Sequence, residues 1–397
     1  MRRIRALYYE QPTRGPGGSR VSLSNMIRGL SGQVQASVVA NLPQEVLRQL
    51  PGDCRVFRGA RIWPPPRTAR SGGTRKTLRW CCHFLGTTLR LVWLILRHNI
   101  DLVHANNGVK SNPCAVLASR LCGRPCVCHL RGTQRPLPES RWLHRFVDHY
   151  IAIAPDVKLY YQRLKVLHDK PTSIVFNGVD VENVYRRTAS YRRNRQSAKR
   201  VASFGRIIRE RGFEYFVATA QEVLRRNTDT EFVIHGPIPP PDDALSGAYF
   251  HELRRLVASL GLKGKVRFAG RYTDVARVMS QTDVALCHCP TSNFGRIFFE
   301  AMACGVPLVA FDGPAVAQVA KSGYNCLLVP NLDIRAMAEA VLQVLHDQAL
   351  ANHLRANALA TAKELFDYRE NAQRIFRIYS DLLHAHGLSP RTAPALL

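Results

Sequence analysis

The sequence predicts an α/β protein built from two doubly wound, parallel-sheet domains, and three observations predict it. The chain has 397 residues, 46% hydrophobic and 21% charged, a globular balance in a chain too long for one hydrophobic core. Short apolar runs alternate with longer segments of helical period, the pattern of parallel strands joined by crossover helices. The alternation lapses in a polar, Arg-rich stretch after Tyr185 and restarts at Val201.

The first series opens with a strand over 4–9, the turn Gly15-Pro16-Gly17-Gly18, and a helix over 19–30 with Val21, Leu23, Met26, Ile27 and Leu30 on one face. Strand and helix then pair at 102–104 with 115–121, at 126–130 with 142–147, and at 150–154 with 157–164. A last strand over 173–176 ends at Asn177-Gly178-Val179-Asp180. In the second series, strands at 201–204, 231–236, 266–269, 284–288, 307–311 and 326–329 alternate with helices at 213–226, 249–260, 275–281, 294–303 and 334–345. The four-proline loop 237–246 is an insertion at a strand end. The expected organisation is a first domain over 1–185, an interdomain segment over 186–200, a second domain over 201–367, and a helix over 368–385 crossing back to the first domain. Ligands of open parallel sheets sit beyond the carboxyl ends of the strands, so the two domains are expected to face each other across a binding cleft.

Charge is distributed unevenly. Residues 1–200 carry 35 basic and 10 acidic side chains, an excess of 25, whereas residues 201–397 carry 21 and 19. Such a surplus fits nucleic acid, an anionic membrane face or an acidic substrate as company, or else a genome that favours Arg codons, since only 10 of the 56 basic residues are Lys. The segment 75–98 (RKTLRWCCHFLGTTLRLVWLILRH) fits a basic amphipathic helix on an anionic leaflet, or equally a buried helix flanked by surface arginines. No nucleic-acid signature accompanies the charge, so nucleic acid is not an expected partner. The eleven cysteines have no zinc-ligand spacing and read as buried, reduced thiols, which points to the cytoplasm. The longest apolar stretch, 84–96, contains Arg90, and neither a signal peptide nor a spanning helix is expected.

The richest segment for chemistry is 289–307 (CPTSNFGRIFFEAMACGVP). It places a polar loop before a helix N-terminus, whose unpaired N–H groups suit a diphosphate, and sets Glu300 further along, where a carboxylate can accept the hydroxyls of a ribose. The plain alternative is a solvent-facing glutamate on an amphipathic helix, against which stand the apolar neighbours Ile297, Phe298, Phe299, Ala301 and Met302. Arg206, Arg209 and Arg211 follow the strand 201–204 and by themselves read as a solvated basic loop.

These residues resemble the retaining glycosyltransferases of family 4, whose GT-B architecture is two facing Rossmann-like domains. The resemblance runs along nearly the whole chain, through Asp101-Leu102-Val103-His104, Asn177-Gly178-Val179-Asp180, Ser203-Phe204-Gly205-Arg206, the stretch 266–270, Asp283, Phe294-Gly295 and Glu300–Pro307. It implies a hexosyl-type transferase that moves a sugar from a nucleotide-diphosphate donor, bound by the domain over 201–367, to a glycan or lipid-linked acceptor, bound by the domain over 1–185, in cell-surface polysaccharide or glycolipid synthesis. Arg206 and Arg211-Gly212 stand where the family has Arg and Lys-Gly, and they imply a clamp on the diphosphate. His129 matches the histidine under the reacting sugar. Gly17 and Gly18, Ser292, Asn293, Phe294 and Gly295 would line the donor site, with Glu300 on the ribose. Ser292 stands where the first motif glutamate is expected, eight positions before Glu300, and Gln318 also replaces a glutamate. No cofactor or metal is implied; the one acidic pair, Asp242-Asp243, lies in the proline-rich insertion. Leaving-group charge would therefore fall to cationic side chains and helix amides. The alternatives are a catalytically weak or inactive sugar-nucleotide-binding protein of this fold and a nucleotide-sugar epimerase. Either enzyme would sit in the cytoplasm, peripherally on the inner face of the membrane if 75–98 docks there.

Overall fold

The computed structural model describes residues 2–10, 18–59, 74–192, 198–240, 243, 245–290, 296–314 and 316–388. The chain divides into two compact units, one formed by 1–178 and 368–397, the other by 179–367.

The first unit is laid down as β1 (Ile4–Tyr9), α1 (Gly18–Gly29), β2 (Val34–Val39), α2 (Gln44–Leu47), β3 (Arg55–Phe57), α3 (Thr74–Arg97), β4 (Leu102–Asn106), α4 (Gly108–Ser111), α5 (Pro113–Leu121), β5 (Cys126–Leu130), a 3-10 turn (Pro138–Phe146), β6 (His149–Ala152), α6 (Pro155–Arg163) and β7 (Thr172–Ile174). Its strands form one sheet in the order β3-β2-β1-β4-β5-β6-β7, every neighbouring pair parallel. Strands β1, β4 and β5 are buried almost throughout, as both faces of a doubly wound sheet must be. One face is covered by a cluster including Leu91, Leu94, Ile95 and Ala115, the other by Leu23, Ile27, Ile375 and Tyr379.

The second unit comprises α7 (Val181–Arg192), β8 (Lys199–Phe204), α8 (Phe213–Leu224), β9 (Thr230–His235), α9 (Ser246–Ser259), β10 (Val266–Gly270), α10 (Val275–Ser280), β11 (Val284–Cys287), α11 (Arg296–Ala303), β12 (Leu308–Phe311), β13 (Leu327–Val329), α12 (Ile334–His346) and α13 (Gln348–Phe366). Its parallel sheet runs β10-β9-β8-β11-β12-β13. The chain ends in α14 (Tyr368–Ala385), which packs on α1 and belongs to the first unit.

Several elements differ from the sequence reading. The strands β2 and β3 were not foreseen, and 142–147 lies within a 3-10 turn, not an α-helix. The segment 186–200 falls inside the second unit and not between the two units. Its first part continues α7, which packs against α10, α11 and α13 inside the second unit, and Lys199 already begins β8. Val181, Val184, Tyr185, Thr188 and Arg192 recur at helical spacing on the inward side of α7, so the period was present beneath the arginines. The unit boundary accordingly falls at Gly178/Val179. Of the cysteines, Cys81 and Cys82 are exposed on α3, contrary to a uniformly buried set.

Candidate functional site

In the second unit the candidate residues Arg206 and Arg211 lie at the carboxyl edge of the sheet. Strand β8 delivers Gly205 and Arg206, and the chain then makes a 3-10 turn over 209–211 before α8 begins. Gly212 closes this loop in the left-handed region, φ 65°. A Cβ there would stand 2.7 Å from the Tyr215 ring and 2.9 Å from Pro290, so glycine is required twice over. Below the loop, a Cβ on Gly236 would lie 1.9 Å from the Gly205 carbonyl oxygen. Backbone thus packs on backbone where Arg206 leaves the strand.

The three arginines of this loop do not form one solvated cluster. Arg209 is paired with Glu252, and its guanidinium lies 4.9 Å from the centre of the Tyr249 ring. Arg206 and Arg211 have no carboxylate partner among the described residues; Arg206 is exposed and Arg211 half-buried. Strand β11 supports the loop from beneath. His288 is buried and bonds the Ser203 hydroxyl (2.6 Å) and the Gly212 carbonyl (2.9 Å), while the Cys289 thiol donates to the Glu210 carbonyl (3.3 Å). Burial pulls the His288 imidazole down to about 4.

Glu300 sits in the second turn of α11 and is only 5% exposed. A carboxylate that buried is not a solvent-facing residue of an amphipathic helix. The donor-loop residues Ser292, Asn293, Phe294 and Gly295 lie outside the described residues.

The first unit carries a second polar edge. Glu10 follows β1 and is almost fully buried; it accepts hydrogen bonds from the Ser19 hydroxyl (2.6 Å) and from Asn106 Nδ2 (2.8 Å). Asn106 Oδ1 accepts from Arg131 Nε (2.6 Å), and Arg131 Nη1 donates to Asn177 Oδ1 (2.5 Å). The ends of β1, β4 and β5 and the segment after β7 are thus tied by one chain of hydrogen bonds, with Glu10 balancing a guanidinium that burial lowers to about 10. His129, at the end of β5, is 3% exposed. Its Nδ1 is 3.3 Å from His104 Nε2, and His104 Nδ1 is 2.7 Å from the Tyr379 hydroxyl on α14. Burial drives His129 well below its ordinary range and His104 to about 3, so both rings are neutral. His129 Nε2 has no hydrogen-bond partner among the described residues, and the ring lines a small pocket with Arg131, Asn177, Tyr368 and Asn371. Gly18 is the first residue of α1; Gly17 lies outside the described residues.

Comparison with known proteins gives the family. Residues 190–361 match the model of the glycosyl transferases group 1, and residues 16–183 that of glycosyltransferase family 4. The chain is a glycosyltransferase of this family. It is 25% identical to the lipopolysaccharide core biosynthesis mannosyltransferase of Rhizobium meliloti, over 70% of this chain and 79% of that protein. It is 24% identical to the N-acetyl-alpha-D-glucosaminyl L-malate synthase of Bacillus anthracis, over 72% and 76%. Among solved structures, Anabaena HepE in complex with UDP and glucose superimposes with a TM-score of 0.73 at 20% identity, covering 95% of this chain and 99% of that one. The two parallel-sheet domains therefore have the GT-B fold.

For this glycosyltransferase the sequence reading had singled out Arg206, Arg211 and Glu300 at the second edge and His129 at the first. It had not found Glu10, His104, Asn106, Tyr379 or His288. Each of these bonds a residue distant in sequence; for Glu10, Asn106 and His288 the position at a strand end, where α/β sheets bind ligands, could have flagged them, whereas His104 lies within β4 and Tyr379 within α14. Among the described residues no cluster of three or more His, Cys, Asp or Glu has metal-site geometry, and no helix is long and apolar enough to cross a membrane.

Proposed function

We propose that the protein is a retaining hexosyltransferase that uses a nucleotide-diphosphate sugar without a metal and acts on a glycan or lipid-linked acceptor in cell-surface polysaccharide or glycolipid synthesis. The observation that carries this reading is the split among the loop arginines: Arg209 is neutralised by Glu252, whereas Arg206 and Arg211 are left for an anion. In this reading Arg206 and Arg211 clamp the diphosphate and stabilise the charge that grows as the glycosidic bond breaks. Glu300 accepts the ribose hydroxyls, and the loop 291–295, with Ser292, Asn293, Phe294 and Gly295, meets the donor together with Gly17 and Gly18. His129 contacts the transferred sugar. The acceptor hydroxyl attacks from the face that the diphosphate leaves, and a phosphate oxygen takes its proton. HepE and the lipopolysaccharide mannosyltransferase support the donor class and the acceptor class respectively.

The enzyme works at the inner face of the membrane, peripherally attached through α3. The inner side of this helix packs Leu91, Leu94 and Ile95 into the core, while Leu78, Cys82, Leu85, Leu89, Trp93 and Leu96 are exposed. At 100° per residue these six fall within roughly 80° of the opposite side, with Arg79, Arg90 and Arg97 along one flank. Turnover of UDP-, GDP-, ADP- and TDP-sugars, with mass spectrometry of any nucleotide sugar retained through purification, tests the activity. A retained nucleotide sugar without turnover would leave a binding protein in place of the enzyme.

A further inference from the structure

The loop that carries Arg206 and Arg211 has seven residues between Phe204 and Gly212, and one imidazole bonds the chain on both sides of it. His288 stands directly after β11 with its ring enclosed by Phe213 and Phe216, whose centroids lie 5.1 and 5.6 Å away. Gly212 offers a carbonyl, which can only accept, so His288 Nδ1 must carry the hydrogen of the 2.9 Å bond. Nε2 is then a bare acceptor, and the Ser203 hydroxyl donates to it at 2.6 Å. The upstream contact is two residues before Gly205, the downstream one immediately after Arg211. Neither flanking glycine can hold the loop through its own side chain, and Gly205 and Gly212 both take positive φ, 147° and 65°.

We infer that His288 is a positioning residue for the diphosphate clamp: in its neutral Nδ1–H form it staples Ser203 to Gly212 and so fixes the separation and direction of Arg206 and Arg211. It touches neither donor nor acceptor. Its contribution is to hold two guanidinium groups in the arrangement that the departing diphosphate needs, with no reorganisation left for the moment of bond breaking. The inference rests on the diphosphate reading of the two arginines, although its structural half does not.

Three variants separate the possibilities. His288→Ala removes both bonds, Ser203→Ala only the upstream one, and His288→Asn keeps a donor toward the Gly212 carbonyl in a smaller side chain. Hydrogen exchange and limited trypsin cleavage after Arg206, Arg209 and Arg211 read loop order directly, without reference to activity. Amide protection over 205–212 is expected to fall in His288→Ala and to be largely retained in His288→Asn. With the donor that the wild type turns over, kcat of His288→Ala is expected to fall about a hundredfold, the scale of a clamp displaced by about 1 Å, with KM changed far less. Imidazole 15N shifts in the wild type are expected to show the Nδ1–H tautomer. Unchanged loop protection in a folded His288→Ala protein would overturn the staple. Lost protection with wild-type kcat would overturn the positioning role. A wild type that binds no nucleotide sugar yet shows the loop effect would refute the donor reading and leave the staple standing.

Discussion

If α3 is a membrane-docking element, replacing Leu85 and Leu89 together by glutamate should detach the protein from anionic vesicles without unfolding it. The magnitude follows from exposure. Leu78, Leu85, Leu89 and Leu96 are 56–66% exposed. Full burial of a leucine is worth about 2 kcal/mol, so the exposed parts of the four together offer about 5 kcal/mol on entering the interface. Arg79, Arg90 and Arg97 add about 1 kcal/mol each near an anionic surface. The Leu85→Glu/Leu89→Glu variant forfeits about half the apolar share and sets two carboxylates against anionic headgroups. Partitioning should therefore weaken by at least about fiftyfold. In 1 M salt the wild type should lose the charge contribution, up to about a hundredfold, and keep the apolar one. Co-sedimentation with phosphatidylcholine vesicles, with and without phosphatidylglycerol, at 0.1 and 1 M salt measures both shares. Trp93, itself exposed on the stripe, should shift its emission to the blue on binding. Equal failure to bind both vesicle types, or wild-type partitioning by the double variant, would refute the reasoning and favour a soluble acceptor.

Other expectations concern the two sheet edges. Arg206→Ala should lower turnover by about 2.7–4 kcal/mol equivalent while nucleoside affinity changes little; saturating kinetics beside calorimetry checks it, and intact kcat would contradict the clamp. Glu300→Gln should weaken nucleotide affinity by about 1.5–3 kcal/mol, read by calorimetry on a variant shown to be folded. Gly236→Ala, whose Cβ would sit 1.9 Å from the Gly205 carbonyl oxygen, should destabilise the second unit by about 1–3 kcal/mol and disturb Arg206; thermal unfolding and kcat report the two effects. Acid should destabilise the fold. His235 and His288 are held at about 4 by burial, so between pH 6.5 and 4 the unfolded chain binds more protons than the folded one. The stability they contribute is complete above pH 6.5 and falls by about 2 kcal/mol each by pH 5, which denaturant midpoints at pH 7 and 5 would show.

The fold was legible because buried parallel strands write themselves as continuous apolar runs: 4–9, 126–130, 201–204 and 284–287 are all strands near those bounds. Short edge strands were not legible. Arg55–Phe57 is three residues long and mostly exposed, so neither burial nor length marks it. Helix α7 was hidden for a different reason: its inward residues Val181, Tyr185 and Thr188 are diluted by the exposed Arg186 and Arg187, and composition spoke louder than period. The site divided in the same way. Arg206, Arg211, Glu300 and His129 stand in local stretches that resemble the family's motifs, which is what singled them out. Glu10, Asn106 and His288 have no motif at all.

What unites the unannounced residues is topology. A parallel sheet brings every strand to the same edge pointing the same way, so the residue just past each strand becomes the neighbour of the residue just past the next. Glu10, Asn106 and Arg131 end or follow β1, β4 and β5, which are adjacent in the sheet though 96 and 25 positions apart in the chain. Gly205, Gly236 and His288 follow β8, β9 and β11 in the same manner. The motif residues therefore decide which ligand chemistry is available at each edge, while the residues beside them decide whether those groups are held still. His288 belongs to the second kind. Its neighbours Ser203 and Gly212 are separated from it by 85 and 76 positions, and the order of the strands, not any spacing in the sequence, makes them one site.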